Sequence, residues 1–182
     1  MLIDPSDGTV TLPAGCSISP LLSQDVFRKH SVFPRARSRD FGTLPWIHYH
    51  FSGGVIEGKE LLASLCFYDQ VLVYVSLAAD FNPPGAKDWS SYSLDVEAAA
   101  KQFHDRLLEQ EIGKPTRRDR LSVGNLPASQ TTLACPLTWK FPWGRVCSGH
   151  DFKGGGTFIT ISFGNRQEEA NRAYRRLGEG PP

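Results

Sequence analysis

The run "WIHYHF" at 46–51 sets His48 and His50 two apart inside an apolar stretch. On a β-strand, residues two apart point to the same face, so both imidazoles could reach one metal ion. A metal site needs a third ligand and usually a fourth. The best-placed distant candidates are His150 and Asp151 in "RVCSGHD". On that strand Val146, Ser148 and His150 share one face, and Cys147 and Asp151 share the other. The adjacent imidazole and carboxylate therefore cannot both ligate without a bulge. In the simpler reading, Ile47, Tyr49 and Phe51 face a core and the two histidines line the wet side beside Trp46. No metal is expected on that reading; a set of His48, His50 and His150 is the alternative.

"CSGHD" also offers Cys147 or Ser148 as a nucleophile, with His150 as base and Asp151 as orienter. Such groups normally converge from separate parts of a chain, and Ser148 lacks the strand-to-helix elbow that exposes a nucleophilic serine. "KGGGT" at 153–157 has the composition of a phosphate loop, but its glycines join two strands instead of leading into a helix. No HExxH, CxxC or GxGxxG motif occurs. No catalytic residue and no cofactor are expected.

Four tryptophans remain to be placed, Trp46, Trp89, Trp139 and Trp143. Tryptophan and arginine dominate binding hot spots. The loops "DWSSYS" and "FPWG" therefore nominate Trp89, Trp143, Arg145 and Lys153 as partner-binding residues.

The elements that must position these groups follow from periodicity. Residues 43–52 alternate as a strand until Gly53-Gly54 breaks the run, and 60–68 and 71–79 make a hairpin around Asp69-Gln70. Ser23 can cap a short helix over 23–30, while 31–42, basic and without period, reads as a loop. Ser93 caps the long helix, whose stripe Val96, Ala100, Phe103 and Leu107 must lie on a sheet. Gly113 and Pro115 end it. Strands return at "LTWKF", "RVCSGHD" and "TFITISF", and a helical stripe of Ala170, Ala173, Tyr174 and Leu177 follows. A hairpin followed by a helix thus occurs twice. The expected fold is α+β: a single antiparallel sheet of about five or six strands, helices packed on one face, ββα order repeated. Residues 1–182 are expected to form one globular domain with a frayed tail at 178–182.

Composition narrows the class further. At 182 residues with 40% hydrophobic and 21% charged side chains, the chain resembles ordinary globular proteins. Its apolar runs fall short of the ~20 residues of a membrane helix, and no basic region precedes an apolar stretch at the N-terminus. The four scattered cysteines fit a reducing compartment, so a cytoplasmic location is expected. Residues 1–112 hold 9 Lys/Arg against 14 Asp/Glu, and 113–182 hold 11 against 5. That asymmetry can mark a polar partner surface. Without a dense basic stripe, nucleic acid is not expected as a partner.

The segments "WSSYSLDVEAAAKQFHDRLL" and "FPWGRVCSGHDFKGGGTFITISF" resemble small uncharacterised proteins of Gram-negative bacteria, several families of which are suspected immunity proteins of secreted or contact-dependent toxins. The likeness spans roughly residues 45–165 and rests on packing and turn residues. It implies a cytoplasmic protein that binds and neutralises a cognate toxin or effector, with no catalytic residues to carry over. The alternative is a small ligand- or metal-binding protein, or an enzyme, using the open sheet face around His48, His50 and His150. Oligomeric state stays open.

Overall fold

The alternating runs in the middle of the chain pair edge to edge, and the rest of the molecule is arranged around them. The computed structural model describes residues 1–39, 45–82, 93–122 and 127–178. Strands β1 (Leu2–Ile3), β2 (Val10–Thr11) and β3 (Ser17–Ile18) form a small three-stranded sheet. Helix α1 (Gln24–Arg28) follows, its Val26 N–H capped by the Ser23 hydroxyl. Then come β4 (Arg37–Arg39), β5 (Trp46–Ile56), β6 (Lys59–Tyr68), β7 (Val71–Ala79) and the long helix α2 (Leu94–Ile112). The chain finishes with β8 (Arg117–Arg118), β9 (Leu137–Phe141), β10 (Gly144–Asp151), β11 (Gly156–Phe163) and helix α3 (Arg166–Gly178).

The second sheet has eight strands in the order β4-β5-β6-β7-β11-β10-β9-β8, every pair antiparallel. Two four-stranded meanders meet through β7 and β11, and a helix follows each. This corrects the expectation of one sheet of five or six strands built from repeated ββα units. The extra strands are short, and they carry no hydrophobic alternation. β4 and β8 are runs of arginine and serine at the two edges, where one neighbour suffices and charge discourages further pairing. The two-residue strands of the small sheet are too brief to show a period at all.

Helices on a single face must be corrected too. Helix α2 buries Phe103 and Leu107 in the same core as Val75, Ile159 and Ile161. Its His104 Nε2 accepts the Ala79 N–H at 2.9 Å. Helix α3 instead lines a cleft with Tyr68 and Val73 through Ala170 and Ala173, and its Gln167 borders the space over Tyr74 and Ser76. Tyr74 and Ser76 alternate with Val75, so α3 lies at one end of the opposite face. Of the tail expected at 178–182, only Gly178 is among the described residues, where it ends α3.

The N-terminal segment completes the cover of the core face. Phe27 of α1 is fully buried, with its ring 5.3–6.0 Å from those of Tyr49, Phe51 and Phe67. Gln24 Nε2 donates to the Tyr49 hydroxyl at 2.7 Å, which satisfies both buried groups. Strand β5 does not stop at Gly53-Gly54. A bulge lies between Ser52 and Val55, and Gly54 adopts φ +97° where a Cβ would stand 2.6 Å from Ala14 N. The reversals at Glu57-Gly58 and Asp69-Gln70 have φ positive at both positions, as the twist of tight hairpins favours.

Candidate binding face

Because β5 alternates, burying Tyr49 and Phe51 sends His48 and His50 to the other side of the sheet. Directly opposed residues in antiparallel strands stand close together on one face, and the register here places polar groups in ranks. In one rank Arg37 opposes His50, His50 opposes Ser64, and Ser64 opposes Ser76. The same rank runs on through Thr160, Cys147 and Thr138 to Arg117, crossing all eight strands. A second rank holds His48, Cys66, Tyr74, Ser162, Arg145 and Lys140.

Over β5, β6, β7 and β11 this face forms an open trough of about 920 Å³. Ser64, Tyr74, Ser76 and Thr160 supply hydroxyls to its floor, and Arg35 and Arg37 stand at its β4 end. Glu60 and Asp151 line it as well. The surface is wet: Leu62 and Phe158 on this face are 46% and 37% exposed. No ion pair among the described residues engages Arg35, Arg37, Lys140 or Arg145. The Asp151 carboxylate accepts the Lys153 N–H at 2.9 Å, and the Gly154 and Lys153 amides hold it below the usual carboxylate range.

The alternative ligand set is not brought together. His48 and His50 stack with ring centroids 6.2 Å apart, and the His48 Nε2 lies 3.5 Å from Cys66 Sγ. His150 is on the other face, under the start of α2, with Nδ1 3.0 Å from Thr157 Oγ1 and 3.7 Å from a Glu97 carboxylate oxygen. Burial lowers its pKa against the pull of Glu97 and Asp151. The sheet itself separates His150 from the pair. Among the described residues no group of three or more His, Cys, Asp or Glu is arranged to hold a metal. On the histidine side, burial pushes the Cys66 thiol up to about 12, so at neutral pH it is a protonated thiol and a poor nucleophile. Cys147, in the other rank, is likewise raised by burial. Ser148 is fully buried on the core face.

The nominated partner-binding residues scatter. Arg145 is exposed on the trough face beyond Gln167, sharing a smaller cleft with Lys140 and Glu168. Lys153 is exposed at the β10–β11 turn. Trp143 is half-buried: it stacks on Phe141 at 5.0 Å and its Nε1–H donates to the Pro5 carbonyl at 3.0 Å. Gly8, at φ +81°, lies so close that a Cβ would meet the indole at 2.6 Å. This tryptophan clamps the N-terminal turn. Trp89 lies outside the described residues. Sequence reasoning missed Arg35 and Arg37, read as part of a loop, although Arg35, Arg37 and Arg39 do alternate.

Among the described residues no helix is long and apolar enough to cross a membrane. No family model, curated protein or solved structure matches the chain.

Proposed function

We propose that this is a protein-binding protein of the immunity type, acting in the cytoplasm by covering the working surface of a cognate toxin or effector. The observation that carries the reading is the wet face of the eight-stranded sheet, with its ranked polar groups and arginines that no ion pair among the described residues engages. Seven strand spacings of ~4.8 Å make that face roughly 34 Å across, and a ten-residue strand runs about 33 Å. Even with one end under α3, such an area is of the order of the ~800 Å² that each partner contributes to a stable complex. Arginine there can grip carboxylates bidentately, and the hydroxyl floor can donate or accept hydrogen bonds. The resemblance noted in the sequence points the same way.

The test is co-expression with the product of the adjacent gene in a sensitive strain. Restored growth and a complex at micromolar concentration support the reading; a harmless neighbour or no complex refutes it.

A second reading is favoured by the trough volume, which suits a small ligand. On that reading the chain binds a small molecule beside His48 and His50. Zinc retained stoichiometrically after dialysis against a chelator, and lost in a His48→Gln/His50→Gln variant, would move the metal form of this reading ahead.

A further inference from the structure

We infer that the trough takes an extended acidic segment of the partner, laid across the strands with its carboxylates over Arg35 and Arg37. This rests on the protein-binding reading and names the part of the partner that is held. Both arginines are exposed at the β4 end of the trough, and no ion pair among the described residues engages either of them. Carboxylates of a partner can therefore reach them without breaking a bridge to any described residue. From β4 to β11 the trough crosses four inter-strand spacings, roughly 19 Å at ~4.8 Å each. An extended chain advancing ~3.3 Å per residue spans that with about six residues. Ser64, Ser76 and Thr160 lie in line beneath it, at positions where they can meet its backbone amides and carbonyls.

The trough mixes charged and hydroxyl groups with apolar ones: Leu62, Ala78 and Phe158 line it beside the arginines and serines. Its two carboxylates lie off the rank of Ser64, Ser76 and Thr160: Glu60 is four residues from Ser64 along β6, and Asp151 is four residues from Cys147 along β10. A short acidic segment laid along that rank meets the arginines first and passes neither carboxylate directly. A single-stranded nucleic acid would carry a phosphate at every step, whereas the cations that line the trough stand only at its β4 end. A polypeptide can confine its carboxylates to the two arginines, and the neutral floor of Ser64, Ser76 and Thr160 then meets its backbone.

The experiment is fluorescence polarisation with a labelled peptide of about ten residues, glutamates in one half and serine and glycine in the other. A peptide with lysine in place of glutamate and an oligothymidylate of similar length serve as comparison probes. The acidic peptide should bind saturably and more weakly as salt rises. Arg35→Glu/Arg37→Glu should lose about tenfold or more in affinity. Lys114→Glu/Arg120→Glu makes the same charge change at exposed sites outside the trough lining and should change it little. Absence of peptide binding, equal losses in the two double variants, or tighter binding of the oligothymidylate would overturn the inference. Toxin neutralisation is scored separately. If Arg35→Glu/Arg37→Glu neutralises as well as the parent, the inference falls and the immunity reading stands. Peptide binding without neutralisation leaves the inference and removes the toxin.

Discussion

Arg37 and His50 oppose each other across the β4–β5 pair, and this register sets the arginine in the same rank as Ser64, Ser76 and Thr160. Arg37 is exposed and has no carboxylate to lose among the described residues. Arg37→Glu should therefore shift unfolding stability by no more than ~0.5 kcal/mol, while weakening partner binding. Urea unfolding beside a binding titration checks both halves; a variant that loses binding only by unfolding contradicts the placement.

Phe27 and Phe103 anchor different parts of the core cover. Phe27 is fully buried among aromatic rings, whereas Phe103 is 7% exposed and rests partly against Phe81 and the Arg106 guanidinium. Phe→Ala at either site should cost about 3–5 kcal/mol, with Phe27 toward the upper end because its cavity has fewer ways to collapse. Chemical denaturation of the two variants tests the order. A loss below ~1 kcal/mol at Phe103 would contradict α2 lying on the sheet as described.

Lys101 is fully buried on α2, and its ammonium sits 2.6 Å from both carboxylate oxygens of Asp105 one turn on. Removing the carboxylate takes the ion-pair partner from a fully buried ammonium. Asp105→Ala should cost about 3–5 kcal/mol, and Lys101→Met/Asp105→Leu should be less damaging than the single change. Equal losses in the single and double variants, measured by urea unfolding, would contradict this account of the pair.

His104 should make the protein acid-sensitive. Burial, and next the Lys101 charge, lower its pKa in the folded chain to about 4, against ~6.5 when unfolded. Between those values the unfolded chain binds the extra proton. The stability contributed is thus full above pH ~6.5 and is lost as pH falls toward 4, up to roughly 3 kcal/mol. Asp105, raised by burial, gives the opposite slope above its ordinary carboxylate value and so overlaps this window, which makes His104→Gln the informative comparison. Its urea midpoint should vary less than the parent's across this window. An unchanged slope would remove His104 from the explanation.

The long strands and α2 were legible because burial writes itself as period. Tyr49 and Phe51 alternate with His48 and His50, and Ala100, Phe103 and Leu107 recur at helical spacing. Ser23 and Ser93 marked helix starts that the structure keeps. What stayed hidden lacks that signature. Edge strand β4 pairs with β5 on one side only and reads as a basic loop, so the trough's arginines were overlooked. Which face α3 covers depends on where β11 ends in the sheet, and no local pattern encodes that. The indole of Trp143 was equally suited to a partner or to Pro5; only the fold brings residues so distant in sequence together.

On the proposed function, the partner is held on the rank of groups crossing the trough. The most direct test of this placement is a chemical-shift map of isotope-labelled protein titrated with the neutralised toxin. The largest shifts are expected at Arg37, His50, Ser64, Ser76 and Thr160, with the exposed side of α2 nearly unchanged. Shifts concentrated on α2 and the N-terminal strands, with the trough silent, would contradict it.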